Sequence, residues 1–560
     1  MSIKKYLVGT VLGVCLTATS CDVLDIDPTG NFNETTAFSS IKNLDLYVEG
    51  LYENSLYMNS DISYSYVMDD GISDLVKYSY YVDKGQVNRM FYEDNMISPI
   101  GDFRSRWGLY DGIRRMNEYF HDVNAGFAAA LPQDELAIRT AEVRFMRALL
   151  YQELTLRYGG VILRVDEQKV DGPTENDKAR ASEQECWDFV IGEYKTAAET
   201  LPEKWDSNRY GRVTKGAAYG MIARAALYAE RWDVAQTYAS KVIDEMGLYQ
   251  LQPGLTYADY YKIFTNPVNS ELIIPVLFAE GTHGKMHSFN TWNCPPYDGQ
   301  LQVSKAKVGA LATPSDEYAS TFDIKVGDKW EAFDWKNLKK YGNEPFANRE
   351  PRFYASILYT GADWKGRKLQ IYKGGTDGFM EFSPAIPANF CMSTTGYLFR
   401  KFVSDSPNIN FSSINSGQYW IEMRLAELYL IRSEAYARQN KFNEAYADLK
   451  TIRNRVGLPE LPQTGNWEAY LKDLAKERIC ELGLEGHRYF DLIRWGKTQE
   501  VLNNSRLHGV KVTPKNGGFT YERIVVDTQD RHYPEKYNVY PIPQTEIQNN
   551  PLCVQSEVWN

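Results

Sequence analysis

The sequence predicts a mainly α-helical fold that one large irregular region interrupts. Apolar residues recur at the three-or-four spacing of a buried helix face over four stretches, at residues 133–158, 214–245, 421–456 and 467–496. Between about residues 250 and 415 this spacing disappears, and Gly, Pro and aromatic residues punctuate the chain. We therefore expect a helical scaffold over about residues 41–249 and 416–503, with an irregular insertion at 250–415.

Helices of the N-terminal half are predicted from apolar spacing and from end signals. The spacing alone predicts two helices, at Lys42–Leu56 and Phe103–Ala125. A long helix follows Pro132 and ends at Tyr158, because the two glycines that come next are typical of a helix end. Thr214 has a side chain that caps helices, so another helix is expected to begin near Gly216.

Two helix pairs carry small and aromatic residues at the spacing of tetratricopeptide units. These residues are Ala223, Trp232 and Ala235 in the first pair, and Ser433, Phe442 and Ala445 in the second. The two pairs are 210 positions apart, so they do not form a tandem array. The pattern predicts a helical-repeat scaffold that long insertions interrupt.

The insertion is predicted to hold loops and small hairpins. Its short β-like runs are Glu271–Phe278, Tyr354–Leu358 and Tyr397–Val403. A second irregular stretch, Asn504–Tyr537, is expected within the C-terminal segment 504–560.

The most informative stretch, Glu477–Trp495, is called the signature segment below and reads ERICELGLEGHRYFDLIRW. Its apolar residues line one face of a predicted helix, namely Ile479, Leu482, Phe490 and Ile493. Its charged residues alternate in sign at intervals of three and can pair, namely Glu485, Arg488, Asp491 and Arg494. Gly483 and Gly486 would let another backbone come close. We interpret the charges, with Tyr489 and Trp495, as structural.

The signature segment resembles the C-terminal signature of the SusD/RagB family. Five other stretches resemble family motifs in the family's order, namely residues 141–165, 211–229, 348–353, 424–437 and 540–551. The motif NREPRF has Glu350 where the family usually has Asp. The resemblance implies one SusD-like domain at residues 41–560, of a kind found in surface lipoproteins that bind glycans. It implies no cofactor, no metal and no catalytic residue.

The N-terminus predicts export. Lys4 and Lys5 precede an apolar stretch, Tyr6–Ala18, that is too short to span a bilayer and is typical of a signal peptide. Cys21 follows three small residues, which predicts a signal peptide at 1–20 and lipidation of Cys21. An ordinary secretory signal with a chance cysteine is the alternative.

The lipidation site has one competitor, Cys15, which would leave a very short apolar core. Ala18 also departs from the Leu that the bacterial lipobox prefers. Residues 21–40 are polar and are predicted to form an extended tether between the lipid and the folded body.

Charge and cysteine content exclude several classes of protein. The net charge is −11, and it becomes −13 when cleavage removes Lys4 and Lys5, which argues against nucleic-acid binding but not against a neutral glycan. Without Cys15 and the acylated Cys21, five of the seven cysteines remain. They are widely spaced and odd in number, which predicts neither a disulfide framework nor a zinc site.

Catalytic motifs are mostly missing. The sequence contains no HExxH and no GxSxG. His283 and His287 have a helical metal spacing, but the glycines around them indicate a loop. Gly496-Lys497-Thr498 resembles a phosphate loop, yet Asp491 stands where its first glycine belongs. The 73 acidic residues leave room for a pair of glycosidase carboxylates, so the residues alone leave hydrolysis open.

Candidate ligand-binding residues are aromatic side chains in irregular segments beside polar ones, because sugar rings stack on aromatic faces. The first cluster lies in HSFNTWNCPPYDGQ, read as a proline-stiffened loop, and comprises Trp292, Asn290, Asn293 and Tyr297. The second comprises Asp69, Asp70, Asp74, Tyr78, Tyr80 and Tyr81. The third comprises Trp330, Trp335, Trp364, Arg367 and Tyr397. Ordinary packing is the alternative for each.

By resemblance, the expected function is non-catalytic capture of a glycan at the outer-membrane surface. The expected partner is a TonB-dependent SusC-like transporter, which the protein would cover as a lid. Two alternatives stay open: a glycoside hydrolase on a helical scaffold, and a SusD-like protein that binds peptide or glycoprotein cargo.

Overall fold

The computed structural model describes residues 34–560 except 58–68, 80–86, 102, 166–175, 280–284, 300–301, 304–305, 383–391, 407–410 and 412–415. The predicted signal peptide and Cys21 therefore lie outside the described residues. Residues 34–40, predicted as part of an extended tether, instead begin the folded body. They form a helical turn and bury Ala37 and Phe38, because these apolar side chains pack into the core.

Helices dominate the architecture, as predicted. In chain order they are α1 (Glu34–Ala37), α2 (Ile41–Tyr52), α3 (Val87–Tyr92), α4 (Tyr110–Asn124), α5 (Gln133–Tyr158), α6 (Glu183–Thr200), α7 (Lys215–Tyr228), α8 (Trp232–Ser240), α9 (Tyr257–Thr265), α10 (Phe289–Asn293), α11 (Asp316–Thr321), α12 (Pro351–Ser356), α13 (Leu425–Arg438), α14 (Phe442–Arg455), α15 (Trp467–Leu482), α16 (Arg488–Arg494), α17 (Thr498–Leu502) and α18 (Gln544–Asn549).

The described strands are short and pair two by two. They are β1 (Val76–Tyr78), β2 (Leu272–Val276), β3 (Gln302–Val303), β4 (Ala306–Lys307), β5 (Ala312–Pro314), β6 (Asp323–Val326), β7 (Lys329–Ala332), β8 (Ile357–Tyr359), β9 (Asp363–Trp364), β10 (Arg367–Lys368), β11 (Tyr397–Phe399), β12 (Trp420–Arg424), β13 (His508–Lys515) and β14 (Gly518–Val525). The pairs are all antiparallel: β1–β5, β2–β12, β3–β4, β6–β7, β8–β11, β9–β10 and β13–β14.

The two tetratricopeptide-like pairs form one continuous stack. Helices α5, α6, α7 and α8 pack in order, α8 packs on α13, and α13 packs on α14 and α15. Small side chains allow this close approach, since Ala223, Ala235 and Ala445 are fully buried. Ser433 donates a hydrogen bond of 2.6 Å to the carbonyl oxygen of Ala445. The predicted scaffold with a long insertion is thus confirmed.

Helix ends agree with the predicted signals at two positions. Helix α5 ends at Tyr158, where Gly159 adopts a left-handed φ of 65° that favours glycine. The Thr214 side chain caps α7 by accepting a hydrogen bond from the Ala217 amide. Helix α4 begins at Tyr110, seven positions later than predicted, after a 3₁₀ turn.

The signature segment is not one helix, so the prediction of a shared apolar face is wrong. Helix α15 ends at Leu482, and Leu484 and Gly486 take left-handed φ values of 70° and 83° before α16 begins. The space at Gly483 is taken by a side chain, not by the backbone of another segment as expected. A Cβ there would lie 2.5 Å from the Tyr318 ring and from the Ile479 carbonyl oxygen.

The C-terminal segment is more regular than predicted. Strands β13 and β14 pair over eight residues each and form a hairpin. Its turn is Asn516-Gly517, with φ values of 44° and 83°, which match the type I′ turn that Asn-Gly favours. The strands predicted in the insertion are confirmed in part by β2, β8 and β11, although residues 354–356 belong to α12.

A buried ion network joins the insertion to the scaffold. Its six cations are Arg352, Lys401, Arg424, Arg453, Arg455 and Lys476, and its six carboxylates are Glu271, Asp323, Glu350, Glu477, Glu481 and Glu485. Opposite charges balance, which makes burial of so many ions tolerable. We call this set the central ion network.

Acid is expected to destabilise the protein through Glu485, a member of this network. Burial alone would raise the pKa of Glu485, but Arg424 and Lys401 more than offset it and lower the pKa to about 2. A carboxyl whose pKa is lower in the folded chain contributes stability above its unfolded pKa of about 4.3. That contribution is lost as the pH falls from there toward 2. Thermal melts across this window measure it, and melting temperatures independent of pH would contradict it.

Within the part of the chain that the structure describes, no helix is both long and apolar enough to cross a membrane.

Candidate functional site

The acidic residues of the second predicted cluster hold the signature segment. Asp70 accepts hydrogen bonds of 3.1 Å from the backbone amides of Gly486 and Arg488. Burial raises the pKa of Asp70 to about 6, although these amides lower it. The Asp74 carboxylate receives two hydrogen bonds from the Arg488 guanidinium, at 2.8 and 3.0 Å. Asp69 pairs with Arg104 and Arg157, so these acids are partnered inside the protein.

The tyrosines of that cluster offer no exposed ring in the described residues. Tyr78 lies on β1 and is 1% exposed, with its ring against Gly71. Tyr80 and Tyr81 lie outside the described residues.

Three residues of the first predicted cluster, Asn290, Trp292 and Asn293, lie on a short helix rather than in a loop. Trp292 is on α10, partly buried against the core. The Asn293 amide donates to the Phe289 carbonyl oxygen and accepts from the Ala312 amide. The Asn290 side-chain amide donates a hydrogen bond to the Ser416 hydroxyl and accepts one from the Ser404 backbone amide. Both asparagines are therefore engaged in holding α10, and neither is exposed to a ligand.

Tyr297 differs from its neighbours, because 52% of it is exposed. It follows Pro295 and Pro296 in a 3₁₀ turn, and the proline-stiffened backbone predicted from the sequence is present here. The next residue, Asp298, accepts hydrogen bonds of 2.8 Å from Trp364 Nε1 and from Arg367 Nη2. The Arg367 guanidinium lies 4.7 Å from the centre of the Tyr297 ring. Three predicted candidates thus meet at one place.

Arg367 is fixed by two carboxylates. Its two terminal nitrogens donate to Asp377 at 2.7 Å each, and one also donates to Asp298. Burial alone would lower the pKa of Arg367, but Asp377 and Asp298 more than offset it and raise the pKa, so the guanidinium stays charged. Its Nε atom is buried and makes no hydrogen bond to any residue that the structure describes. We call Tyr297, Asp298, Trp364, Arg367 and Asp377 the Tyr297 surface.

Two members of the Tyr297 surface, Asp298 and Asp377, were not predicted from the sequence. Asp298 stood beside Tyr297 in the same PPYDGQ run, which was the one available signal. Asp377 lies in a turn after β10, and no residue pattern marked it. Trp364 is only 1% exposed, so it supports the surface from beneath and does not present a ring to solvent.

The remaining candidates are buried or partly buried. Tyr397 is buried and its hydroxyl donates a 2.9 Å hydrogen bond to Asp316. Trp335 Nε1 donates to the same carboxylate, also at 2.9 Å. Trp330 is partly buried on β7, with the Lys325 ammonium 6.0 Å from its ring centre.

Neither a metal site nor a glycosidase pair stands out among the described residues. No group of three or more His, Cys, Asp or Glu side chains there could hold a metal ion. His287 is buried and its Nε2 lies 2.8 Å from the Gln418 carbonyl oxygen, while His283 lies outside the described residues. At the Tyr297 surface, one guanidinium bridges Asp298 and Asp377, which favours a fixed support over acid–base chemistry.

Comparison with known families matches both halves of the chain. The family model described as "SusD family" matches residues 270–559. A second model, described as "Starch-binding associating with outer membrane", matches residues 22–227. The fold and the paired helices therefore define a SusD-type protein, and the chain belongs to the SusD family.

Several relatives are similar over most of their length. A SusD-like protein of Bacteroides ovatus is 21% identical, with 99% of this chain and 98% of the relative covered. The starch-binding protein SusD of Bacteroides thetaiotaomicron is 24% identical, with 78% and 75% covered. A crystal structure of a SusD-like protein from Bacteroides fragilis superposes with a TM-score of 0.76 at 26% identity, covering 93% of this chain and 98% of that one.

Proposed function

We propose that the protein binds a glycan at the Tyr297 surface without cleaving it. The observation that carries this proposal is a half-exposed tyrosine ring on a base that prolines and two hydrogen-bonded carboxylates hold rigid. A rigid aromatic ring loses little freedom when the C–H face of a sugar stacks on it. The names of the relatives add support, since one is a starch-binding protein.

The polar groups of the Tyr297 surface suit sugar hydroxyls. The Arg367 guanidinium and the Asp298 carboxylate are partly exposed, at 22% and 18% of their side chains, so one can donate a hydrogen bond to a hydroxyl and the other can accept one. A hydroxyl can therefore both donate and accept beside the ring. The guanidinium and the two carboxylates leave this patch with one net negative charge, which favours a neutral glycan over an anionic one.

In the cell, we propose that the protein is lipid-anchored in the outer membrane, faces outward, and passes its glycan to a TonB-dependent SusC-like transporter that it covers as a lid. Support comes from the match to a family described as associating with the outer membrane, and from the signal-peptide pattern before Cys21. A glycan that is captured at the transporter mouth becomes concentrated there, which raises the rate of import.

Replacing Tyr297 by Ala is expected to weaken glycan binding strongly while leaving the fold intact. The loss should be roughly 0.5–1.5 kcal/mol beyond the lost contact area, because the stacking geometry disappears with the ring. A panel of polysaccharides identifies the glycan first, and calorimetry then compares the two proteins. Tyr297→Phe is the matched control, since it keeps the ring and should retain most of the affinity.

Trp292→Ala separates the two aromatic candidates of the first cluster. Loss of affinity with an unchanged melting temperature would place the stacking ring at Trp292 instead. Loss of affinity together with a lower melting temperature would identify Trp292 as core. Unchanged affinity in both Tyr297→Ala and Trp292→Ala would refute the proposed site.

Replacing Cys21 by Ala is expected to release the protein from membranes, because the acylated thiol is the proposed anchor. Fractionation of cells and labelling with a radioactive fatty acid measure this. Cys15→Ala is the matched control and should stay lipidated. A Cys21→Ala protein that still takes up label and sediments with the outer membrane would contradict the assignment.

The two alternatives predict different outcomes with the same reagents. A glycoside hydrolase would shorten the oligosaccharide that the panel identifies, whereas a binding protein leaves it intact after long incubation. A protein for peptide or glycoprotein cargo would bind members of a peptide screen and no polysaccharide.

A further inference from the structure

A cavity of about 510 Å³ opens beside the signature segment. It shares no lining residue with the Tyr297 surface. Three aromatic residues line it: Trp187 on α6, Tyr228 at the end of α7, and Phe490 on α16. The Trp187 and Tyr228 rings are nearly parallel, at 11°, and Phe490 meets Tyr228 edge to face, at 81°. We call this the α6–α16 cavity.

Carboxylates lie where the α6–α16 cavity meets solvent. Glu183 and Glu230 line it and are both exposed. The cationic wall residue, Arg494, is neutralised by Glu434 and Asp491. The entrance is therefore acidic, so it disfavours anions.

A smaller chamber of about 50 Å³ adjoins the cavity across Leu156, Tyr228 and Phe490, which line both. Gln152 lines it and is fully buried, yet neither its amide oxygen nor its amide nitrogen bonds another described residue. The chamber is polar and large enough for water, which can satisfy this amide. Polar groups thus continue inward from the aromatic walls.

We infer that the α6–α16 cavity is a second ligand site, for one neutral sugar unit. Its size suits a small ligand. Trp187 and Phe490 are buried and pack against the partly exposed Tyr228 ring, which suits the C–H face of a sugar ring. The exposed carboxylates of Glu183 and Glu230 accept hydrogen bonds from hydroxyls. This inference does not rest on the Tyr297 surface being a binding site.

The test uses the full-length Tyr297→Ala protein, so that the first site does not contribute. Saturation-transfer NMR with glucose, galactose, mannose and xylose is expected to detect binding of at least one of them. Glucuronate should bind more weakly than glucose, because its carboxylate meets Glu183 and Glu230. Absence of signal from all four neutral sugars would overturn the inference, as would tighter binding of glucuronate.

Two charge-removing variants locate the site. Glu183→Gln and Glu230→Gln are each expected to weaken the detected sugar about tenfold, because a hydrogen bond to a charged acceptor becomes a weaker one to a neutral amide. Both residues are exposed, and the glutamine oxygen at 183 can still accept the 3.3 Å hydrogen bond that Glu183 receives from Trp187 Nε1, so folding should be unaffected. Glu199→Gln is the matched control: Glu199 is exposed on the same helix but does not line the cavity. If all three variants bind the sugar with the same affinity as one another, the assignment of the site to this cavity is overturned.

Discussion

Replacing Arg424 by Ala is expected to lower the free energy of unfolding by about 3–5 kcal/mol or more, because breaking a buried ion pair leaves an uncompensated buried charge. Arg424 is fully buried and binds three carboxylates of the central ion network, Glu271, Glu481 and Glu485. Its Nη2 also donates a 2.6 Å hydrogen bond to the Glu481 carbonyl oxygen. Urea titration followed by circular dichroism measures the loss.

Two further variants make this result specific. Arg114→Ala removes an arginine whose pair with Glu118 is largely exposed, so its cost should be within about 1 kcal/mol. Arg424→Lys keeps the charge but not the forked donor geometry, and should fall between the two. Equal losses for Arg424→Ala and Arg114→Ala would contradict the account of the network.

Replacing Asp491 by Ala is expected to cost about 3–5 kcal/mol as well, because it removes the carboxylate that pairs with the buried Arg478 and one of the two that pair with Arg494. The Asp491 carboxylate is 2% exposed and receives hydrogen bonds from Arg478 at 2.6 and 2.9 Å and from Arg494 at 2.6 Å. Those cations also lower its pKa, although burial alone would raise it.

Asp491→Asn is the matched control, because it keeps the shape and one acceptor oxygen but removes the charge. Thermal melts should rank the wild type above Asp491→Asn, and that variant above Asp491→Ala. An unchanged melting temperature in Asp491→Ala would mean that the two guanidiniums find other partners.

The sequence pattern predicted that neighbouring charges of the signature segment pair with one another, and only one of these pairs is present. The Asp491–Arg494 pair follows from helical spacing, and it is present. Arg488 instead binds Asp74, and Arg478 takes the other side of Asp491. Contacts between residues far apart in the chain carry no periodic signal, so spacing along one helix could not reveal them.

The same limit applies to the candidate site. Side-chain chemistry singled out Tyr297, Trp364 and Arg367 as separate candidates. Their meeting depends on Asp298, which binds partners 66 and 69 positions away, and no local pattern encodes that contact. The burial of individual candidate side chains was equally impossible to predict from the sequence. Asn290 and Tyr397 have the chemistry of ligand-binding residues, but their polar atoms are used within the fold.

Sequence signals predicted those features of the fold that nearby residues determine. The end of α5 and the cap of α7 depend on neighbours within a few positions. The β13–β14 hairpin was missed although its Asn516-Gly517 turn is also a local signal. The Asn-Gly turn signal was therefore present in the sequence, but the irregular composition of the surrounding residues obscured the hairpin.

The packing of α8 on α13 has a consequence for how the chain folds. Some 200 residues separate the two tetratricopeptide-like helix pairs. Helix α8 can therefore pack on α13 only after the chain of the insertion has folded so that α13 lies beside α8. Contacts of such high sequence separation pay loop-closure entropy before they gain burial, which slows folding. Until α13 arrives, the small-residue face of α8 stays open to solvent. A chain that ends before residue 425 would therefore expose the apolar face of α8 and would be prone to associate with other chains.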